Sequence, residues 1–152
     1  MIFVNYPVGE VISKGDAPFD FLQKAQGLSE KNFNGYIVLA VRGSLIEEGV
    51  LFFREGFVFA CAVECLAAEK TLKGQEALDF FFNQTRGSGF FQVISLERSQ
   101  VDLVTAFDEK LLLPKIDLKE LPKMLPSAFS PRFSKPLTSK SVLEAYGLSE
   151  LQ

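Results

Sequence analysis

The sequence predicts an α+β domain in which an antiparallel sheet of about four to five strands, arranged as a meander, packs against about three helices. Three consecutive apolar segments are joined by short turns that contain glycine, which is typical of antiparallel hairpins. Other segments carry apolar residues at the spacing of an amphipathic helix. A chain of 152 residues is long enough to bury one core, so we expect residues 1–113 to form a single globular domain.

The strands are predicted from their apolar and β-branched composition. They cover residues 36–41, 50–54, 57–65 and 90–96. The segment 36–41 is apolar almost throughout, which favours a central strand that is buried on both faces. Glycine accepts the positive φ that tight turns require, and we assign turns to Gly35, Gly49, Gly56, Gly74 and Gly89.

Helices are predicted at 18–26, 75–85 and 99–113. The first is expected to begin at Pro18 and to end before Gly27, because proline suits an opening turn and glycine suits a helix exit. The third is predicted to use Ser99 as its cap and to end before Pro114. Its core face is expected to contain Val104, Phe107 and Leu111.

The second helix contains three consecutive phenylalanines, at 80–82. Its apolar face is expected to hold Leu78, Phe81 and Phe82, and its opposite face Asp79, Asn83 and Arg86. Three consecutive side chains span about 200° of a helix, so Phe80 is expected to leave the face that packs on the sheet. Either the C-terminal extension covers Phe80, or Phe80 belongs to a surface for a protein partner. A third alternative is an apolar ligand pocket among the phenylalanines.

Residues 114–152 differ in composition from the rest of the chain. They contain five of the seven prolines, and the stretch 114–140 carries six Lys and Arg against two acidic residues. We expect this basic, proline-rich extension to dock on its own domain, on a second copy or on a partner. It ends in a short predicted helix, 139–147, which should be ordered only if its apolar residues dock. The candidate partner surface consists of Phe80, Val142, Leu143 and Tyr146.

No set of side chains points to catalysis, a cofactor or a metal site. The chain has no histidine, which removes the commonest general base and a usual metal ligand. Cys61 and Cys65 would lie about 13 Å apart in the predicted strand, beyond disulfide reach, and are expected to be buried as apolar residues. The acidic pairs at 47–48 and 108–109 are expected to be solvated surface. We therefore expect no enzymatic activity.

Hydropathy and the first seven residues predict where the protein is located in the cell. No apolar run approaches the roughly 18–20 residues of a membrane span. The first seven residues lack the basic and apolar regions of a secretory signal. We therefore expect a soluble, cytoplasmic protein that does not bind membranes.

Short segments that contain glycine precede or connect several of the predicted strands and helices. Asn34-Gly35 precedes the first predicted strand, Glu55-Gly56 connects a hairpin, Gly74-Gln75-Glu76-Ala77-Leu78 begins a helix, and Gly89-Phe90-Phe91 begins the last strand. In this order of signals the chain resembles PATAN-type domains, and it is most similar to an archaeal family of uncharacterised proteins with that plan. The resemblance implies an interaction or regulatory module without catalytic residues, of a kind found in bacteria alongside signalling and small-GTPase-related components.

The function predicted from these observations is that of a non-enzymatic adaptor, whose partner is another protein or a second copy of the chain. One alternative is a sensing domain that binds an apolar small molecule. Another is nucleic-acid binding through the basic extension. The second alternative is disfavoured, because proline and serine dilute the charges and no dense basic run is present.

Overall fold

The computed structural model describes residues 6–134 of the chain. Its strands are β1 (Glu10–Ala17), β2 (Gly35–Arg42), β3 (Ile46–Arg54), β4 (Phe57–Cys65), β5 (Lys70–Lys73) and β6 (Ser88–Ser95). Its helices are α1 (Phe21–Glu30), α2 (Gln75–Gln84), α3 (Arg98–Phe107) and α4 (Leu121–Met124). No helix among the described residues is long and apolar enough to cross a membrane.

The strands form one antiparallel sheet in the order β1-β6-β2-β3-β4-β5. This confirms the predicted α+β class and the β2-β3-β4 meander, with six strands in place of four to five. Two strands were not predicted. β1 mixes serine, lysine, glycine and aspartate into its length, and β5 has only four residues, of which two are lysines.

The central strand β2 is buried on both faces, as its composition predicts. Ile37 and Leu39 point into a core that the sheet shares with α1 and α2. Tyr36 and Val38 point into a second core, which contains residues of α3. We call these the first and the second face of the sheet.

Helix α1 begins and ends later than predicted. Asp20 caps it, because its side chain accepts a hydrogen bond from the amide of Gln23 at 3.1 Å. The helix then runs through Gly27 and ends at Glu30. A glycine three residues before a helix end is tolerated when apolar residues around it are packed, and here Ala25 and Leu28 are buried.

Helix α3 corrects the prediction at both ends. Its capping box is formed by Glu97 and Gln100, not by Ser99, and the helix ends at Phe107. Its buried residues are Val101, Val104 and Thr105. Phe107 lies off this stripe and is 84% exposed, so its predicted place in the core is wrong. Leu111 is buried, but from a separate 3₁₀ turn at Glu109–Leu111.

The five glycines assigned to turns divide into two groups. Gly35, Gly56 and Gly74 have positive φ and lie at the start of β2, between β3 and β4, and at the cap of α2. Gly49 and Gly89 lie inside strands, so their assignment to turns is wrong. Gly49 is required by close approach, since a side chain there would collide with Gln84 and Phe81 of α2.

Candidate functional site

Part of the C-terminal extension runs along the exposed side of α2. We call residues 126–134 the strap. The carbonyl of Pro126 accepts a hydrogen bond from Arg86, just beyond the C-terminal end of α2, at 3.0 Å. Further along the strap, Arg132 forms an ion pair with Asp79 at 2.7 Å. The strap therefore runs antiparallel to the helix and is attached to it at several points.

Asn83 fixes the middle of the strap. Its amide Nδ2 donates to the carbonyl oxygen of Ser130 at 2.8 Å, and its Oδ1 accepts from the backbone N–H of Ser130 at 3.0 Å. The Asn83 side chain was predicted to lie on the exposed face of the helix, but the residue is buried. The prediction is wrong because the strap covers that face and supplies both hydrogen-bond partners.

Phe80, the first residue of the candidate partner surface, is half-buried beneath the strap. Its ring centroid lies 5.2 Å from that of Phe133, and the guanidinium of Arg132 lies 5.2 Å from it. Of the two alternatives for this side chain, cover by the extension is the one present here. Val142, Leu143 and Tyr146 lie outside the described residues.

Glu47 was predicted to be solvated, together with Glu48, and this is wrong for Glu47. Its side chain is buried on the first face, and its Oε1 accepts a hydrogen bond from Nε2 of Gln84 at 3.2 Å. Burial raises the pKa of the Glu47 carboxyl, although the hydrogen bond from Gln84 and the charge of Arg132 act in the opposite direction. Oε1 of Gln84 is buried and has no hydrogen-bond partner within residues 6–134.

Residues 6–134 cover the second face of the sheet only in part. The register of the strands places one row of side chains straight across the sheet: Asp16, Phe90, Ala40, Glu48, Glu64 and Thr71. None of these residues belongs to the core beneath α3, and all are exposed or half-buried. Next to Ala40 and Glu48 on the same face, Arg42 is paired with Ile46.

A cavity of about 450 Å³ opens beside this row. Ile46 and Leu66 line it and are 61% and 64% exposed. Arg42, Glu48 and Glu64 also line it. We define the open face as the cavity-lining residues Arg42, Leu45, Ile46, Glu48, Glu64 and Leu66 together with Phe90, which is 57% exposed. Nothing in the sequence distinguishes its apolar residues from core residues of a strand.

A second cavity, of about 480 Å³, lies between α3 and the edge of the sheet. Its apolar wall includes Leu103 and Phe107, and its polar wall includes Lys73 and Asp108. Lys73 and Asp108 form an ion pair at 2.6 Å, and the hydrogen bond from Lys73 lowers the pKa of the aspartate. Tyr6 lines the same cavity, and burial raises the pKa of its hydroxyl to about 12.

The two cysteines lie in β4, are buried and form no disulfide. This confirms their interpretation as buried apolar residues. Burial raises the pKa of both thiols, which disfavours the reactive thiolate. Within residues 6–134, no three Cys, Asp or Glu side chains are grouped so that they could hold a metal ion.

Comparison with known families concerns most of this fold. The model of a family described as an uncharacterised protein conserved in archaea (DUF2226) matches residues 4–107. The chain belongs to the DUF2226 family. No curated protein and no solved structure matches it.

The DUF2226 match divides the molecule at the end of α3. It includes all six strands and helices α1 to α3, and therefore the whole open face. The strap and α4 lie beyond the matched residues. The prediction of an uncharacterised archaeal family is thus confirmed, whereas its PATAN-type plan stays a prediction.

Proposed function

We propose that this DUF2226 protein is a non-enzymatic, cytoplasmic interaction module that binds a segment of another protein on the open face. The observation that carries the proposal is the exposure of Phe90 and Ile46 on one incompletely covered face of the sheet, together with exposed Leu66, which lines the same cavity as Ile46. Single exposed apolar side chains are common on protein surfaces, whereas apolar side chains grouped around a cavity are characteristic of binding sites.

The cavity has a size that suits one or two side chains of a partner. At about 450 Å³ it lies within the usual range of binding pockets. Four of its lining residues, Arg42, Ile46, Glu48 and Glu64, lie on β-strands, which hold their side chains more rigidly than loops do. We expect the partner to insert apolar side chains beside Ile46 and Leu66.

Charge around the cavity specifies the partner further. Glu48 and Glu64 lie side by side in neighbouring strands, and Arg42 is the only cationic residue that lines the cavity within the described part of the chain. Glu64 places a carboxylate beside the apolar residues of the cavity, so a partner segment that carries lysine or arginine there is favoured over an acidic one.

The resemblance to PATAN-type domains supports the same class of function. Two elements support the resemblance: the β3–β4 hairpin connection at Gly56 and the start of α2 after Gly74. We propose that the domain is of the PATAN type, for which an interaction or regulatory role is implied. This argument from fold is by analogy, and the open face supplies the independent one.

The test uses the full-length protein as bait and two variants. Proteins retained from a lysate of the source organism are identified, and the affinity of a purified partner is then measured by titration calorimetry. Ile46→Lys places a charge in the open face and should weaken binding at least about tenfold. Val11→Lys, at an exposed position of β1, is the matched control and should leave affinity within about twofold. Equal affinities of the two variants would exclude the open face as the binding site.

A second candidate function is favoured by the cavity beside α3. Tyr6, Lys73 and Asp108 are polar groups at the border of an apolar wall, an arrangement typical of small-molecule sites. Native mass spectrometry of the gently purified protein should then show added mass that Phe107→Ser removes. Unchanged mass in preparations from different hosts would count against a ligand.

Nucleic-acid binding through the extension is the weakest of the alternatives. Arg132 is paired with Asp79, and Lys123 is paired with Glu120. Two basic residues of the extension are thus already directed towards acidic groups of the same chain. A salt-sensitive mobility shift of DNA or RNA by the intact protein would be needed to revive this alternative.

A further inference from the structure

We propose that strand β1 pairs with β1 of a second copy of the chain, so that the two six-stranded sheets become one continuous sheet. The proposal concerns the edge of the sheet and therefore goes beyond the proposed function, which uses the open face. It is based on the direction of the backbone groups of β1, on the charges along this strand and on the small side chains around Gly15.

Lys14 and Asp16 turn their backbone groups to the outside of the sheet. In an antiparallel sheet, successive residues of a strand bond alternately to its two neighbours. Just beyond β6, the N–H of Leu96 donates to the carbonyl oxygen of Asn34, just before β2, at 2.9 Å, so even-numbered residues on β6 bond towards β2. Odd-numbered residues of β6 therefore bond to β1, and their partners there, such as Gly15, turn inwards. Lys14 and Asp16 turn outwards, to a side where residues 6–134 supply no further strand.

Charges of opposite sign alternate along this edge. Asp16 lies opposite Phe90 in β6, so its side chain points to the second face, and that of Lys14, two residues earlier, does the same. Both residues are exposed, and neither forms an ion pair within the described part of the chain. When two copies pair about a two-fold axis at Gly15, Lys14 of each copy lies opposite Asp16 of the other. The pairing thus forms two ion pairs.

The charges also select this register. Antiparallel pairing centred on Lys14 or on Asp16 would place identical charges opposite each other, which is unfavourable. Towards the N-terminal end of β1, the regular pattern stops at the irregularity between Val11 and Ser13, because a bulge disrupts the alternation of the backbone groups. The pairing is therefore restricted to residues 13–17.

On the first face, the same edge leaves room for a neighbouring strand. Ser13, Gly15 and Ala17 point to this face and are small. The ring of Phe91 lies over Gly15, since a Cβ placed there would be 2.9 Å from it. In the paired strands, the two copies of Gly15 face each other, and Ser13 of each copy faces Ala17 of the other. The strands can therefore approach to the usual spacing of about 4.8 Å without a clash between β1 side chains on this face.

The opposite edge of the sheet does not fit a second copy in this way. Strand β5 has four residues, and its charged residues are Lys70 and Lys73. Pairing of β5 with itself would bring only positive charges together. Short strands and lysines protect a sheet edge against further pairing, whereas β1 has eight residues and carries both charges. The β1 edge is therefore selective for a strand with the same alternation, which a second copy supplies.

The pairing would place both open faces on the same side of the sheet, since a two-fold axis perpendicular to a sheet does not invert it. Phe90 of one copy would lie about 16 Å from Phe90 of the other, because three strand spacings and two residues separate them. Under the proposed function, one partner could then contact two open faces.

Sedimentation equilibrium of the full-length protein tests the dimer. A five-residue pairing with two exposed ion pairs is a weak interface, so we expect a dissociation constant in the micromolar range. The average mass should rise with concentration from 16.9 kDa towards that of a dimer. Lys14→Asp should raise the dissociation constant at least about tenfold, because repulsion replaces both ion pairs. Lys70→Asp makes the same change of charge at the other edge and should leave the constant within about twofold.

Exchange of charge between copies makes the test specific. Asp16→Lys alone should weaken the dimer as Lys14→Asp does. An equimolar mixture of these two variants should form heterodimers with the affinity of the wild type, because every pair then joins opposite charges. Both substitutions in one chain should restore the homodimer for the same reason. A dimer that Lys14→Asp does not weaken, or a loss that neither combination restores, would overturn the proposal.

Hydrogen exchange identifies what covers the edge. The amides of Lys14 and Asp16 should be protected at high protein concentration and should exchange faster on dilution, whereas that of Gly15 should not depend on concentration. Protection of Lys14 and Asp16 in a monomer would mean that another segment of the same chain covers β1, which rejects the dimer. A wild type that is monomeric at the highest concentration rejects it as well.

The dimer can be tested separately from the proposed function. Ile46→Lys should leave the dissociation constant of the dimer unchanged, and Lys14→Asp should leave the affinity of a single open face for a partner unchanged. If Ile46→Lys weakens the dimer and Lys14→Asp does not, the copies associate through the open face and the pairing of β1 is rejected.

Discussion

The two faces of the sheet differ in how completely they are covered. On the first face, α1, α2 and residues of the C-terminal extension close over the strands, and the buried Ile116, Leu121 and Phe133 join the same core. On the second face, α3 covers one end, and the row through Phe90 and Ala40 is left partly exposed. The contrast teaches that the extension is part of the core on one side, while residues 6–134 leave the other side incompletely covered.

The largest expected difference between the faces concerns two adjacent phenylalanines in β6. Phe91 is buried on the first face and its ring stacks on Phe19 with centroids 4.3 Å apart, whereas Phe90 is exposed on the second. We expect Phe91→Ala to lower the free energy of unfolding by about 3–5 kcal/mol. We expect Phe90→Ala to lower it by less than about 1 kcal/mol. Chemical denaturation of both variants measures the difference, and similar losses would contradict the assignment of faces.

Substitutions that enlarge a side chain should also affect stability differently on the two faces. Gly49→Val would place methyl groups against Gln84 and Phe81 and should cost about 3 kcal/mol of stability. Ala40→Val lies on the second face beside Phe90 and should change stability by less than about 0.5 kcal/mol. A tolerated valine at position 49, with an unchanged melting temperature, would show that α2 does not approach the sheet as closely as described.

The attachment of the strap can be weakened without altering the sheet. Asn83→Ala removes both hydrogen bonds to Ser130 and should lower the free energy of unfolding by about 2 kcal/mol. Limited proteolysis should cut this variant within 114–134 faster than the wild type. Asp79→Ala removes only an exposed ion pair and should cost less than about 1 kcal/mol. If Asp79→Ala is more sensitive to protease than Asn83→Ala, the two hydrogen bonds between Asn83 and Ser130 are not the main attachment of the strap.

The smallest predicted effect is a pH dependence at Glu47. The pKa of Glu47 is raised in the folded protein, so the folded state binds a proton more tightly than the unfolded state does. The stability that this proton contributes is therefore lost as pH rises through the folded pKa. Glu47→Gln keeps a neutral group there and can donate to the unsatisfied Oε1 of Gln84. The variant should be about 1 kcal/mol more stable than the wild type at pH 7–8, with the difference vanishing towards pH 4.

Denaturation of Glu47→Gln and wild type across this pH range measures the effect. Glu10→Gln, on the exposed start of β1, is the control and should show no such convergence. A Glu47→Gln variant that is less stable at every pH would mean that the charged carboxylate is favourable in its buried position.

The sequence predicted the parts of the fold in which hydrophobic pattern and burial agree. Residues 36–41 are apolar without interruption, and they do form the middle of a strand that is buried on both faces. The hydrophobic pattern does not identify polar residues that are buried. Asn83 and Glu47 are polar and were predicted at the surface, whereas the structure pairs them with Ser130 and Gln84 by hydrogen bonds. These partners are distant in the chain, so no local signal identifies them.

The open face could not be predicted for a related reason. Phe90 and Phe91 are equivalent in the sequence. Phe91 is buried because Phe19 and the α1 residue Lys24 lie over its ring, whereas α3 does not extend over Phe90.

Phe107 was assigned to the core because it lies three residues after Val104, a spacing that fits one side of a helix. The buried residues of α3 are Val101, Val104 and Thr105, and Phe107 lies off this stripe. Apolar spacing predicts a helix, but not how much of its circumference a neighbour will cover.

The position of β6 between β1 and β2 has a consequence for synthesis on the ribosome. Among the described strands, β1 lies at the edge of the sheet and pairs with β6 alone. Within the described sheet, β1 must therefore wait for β6 before it can form ladder hydrogen bonds, while the β2-β3-β4 meander can form from neighbouring segments. During elongation, the nascent chain carries an unpaired N-terminal strand that becomes protected only when residues 88–95 have left the exit tunnel.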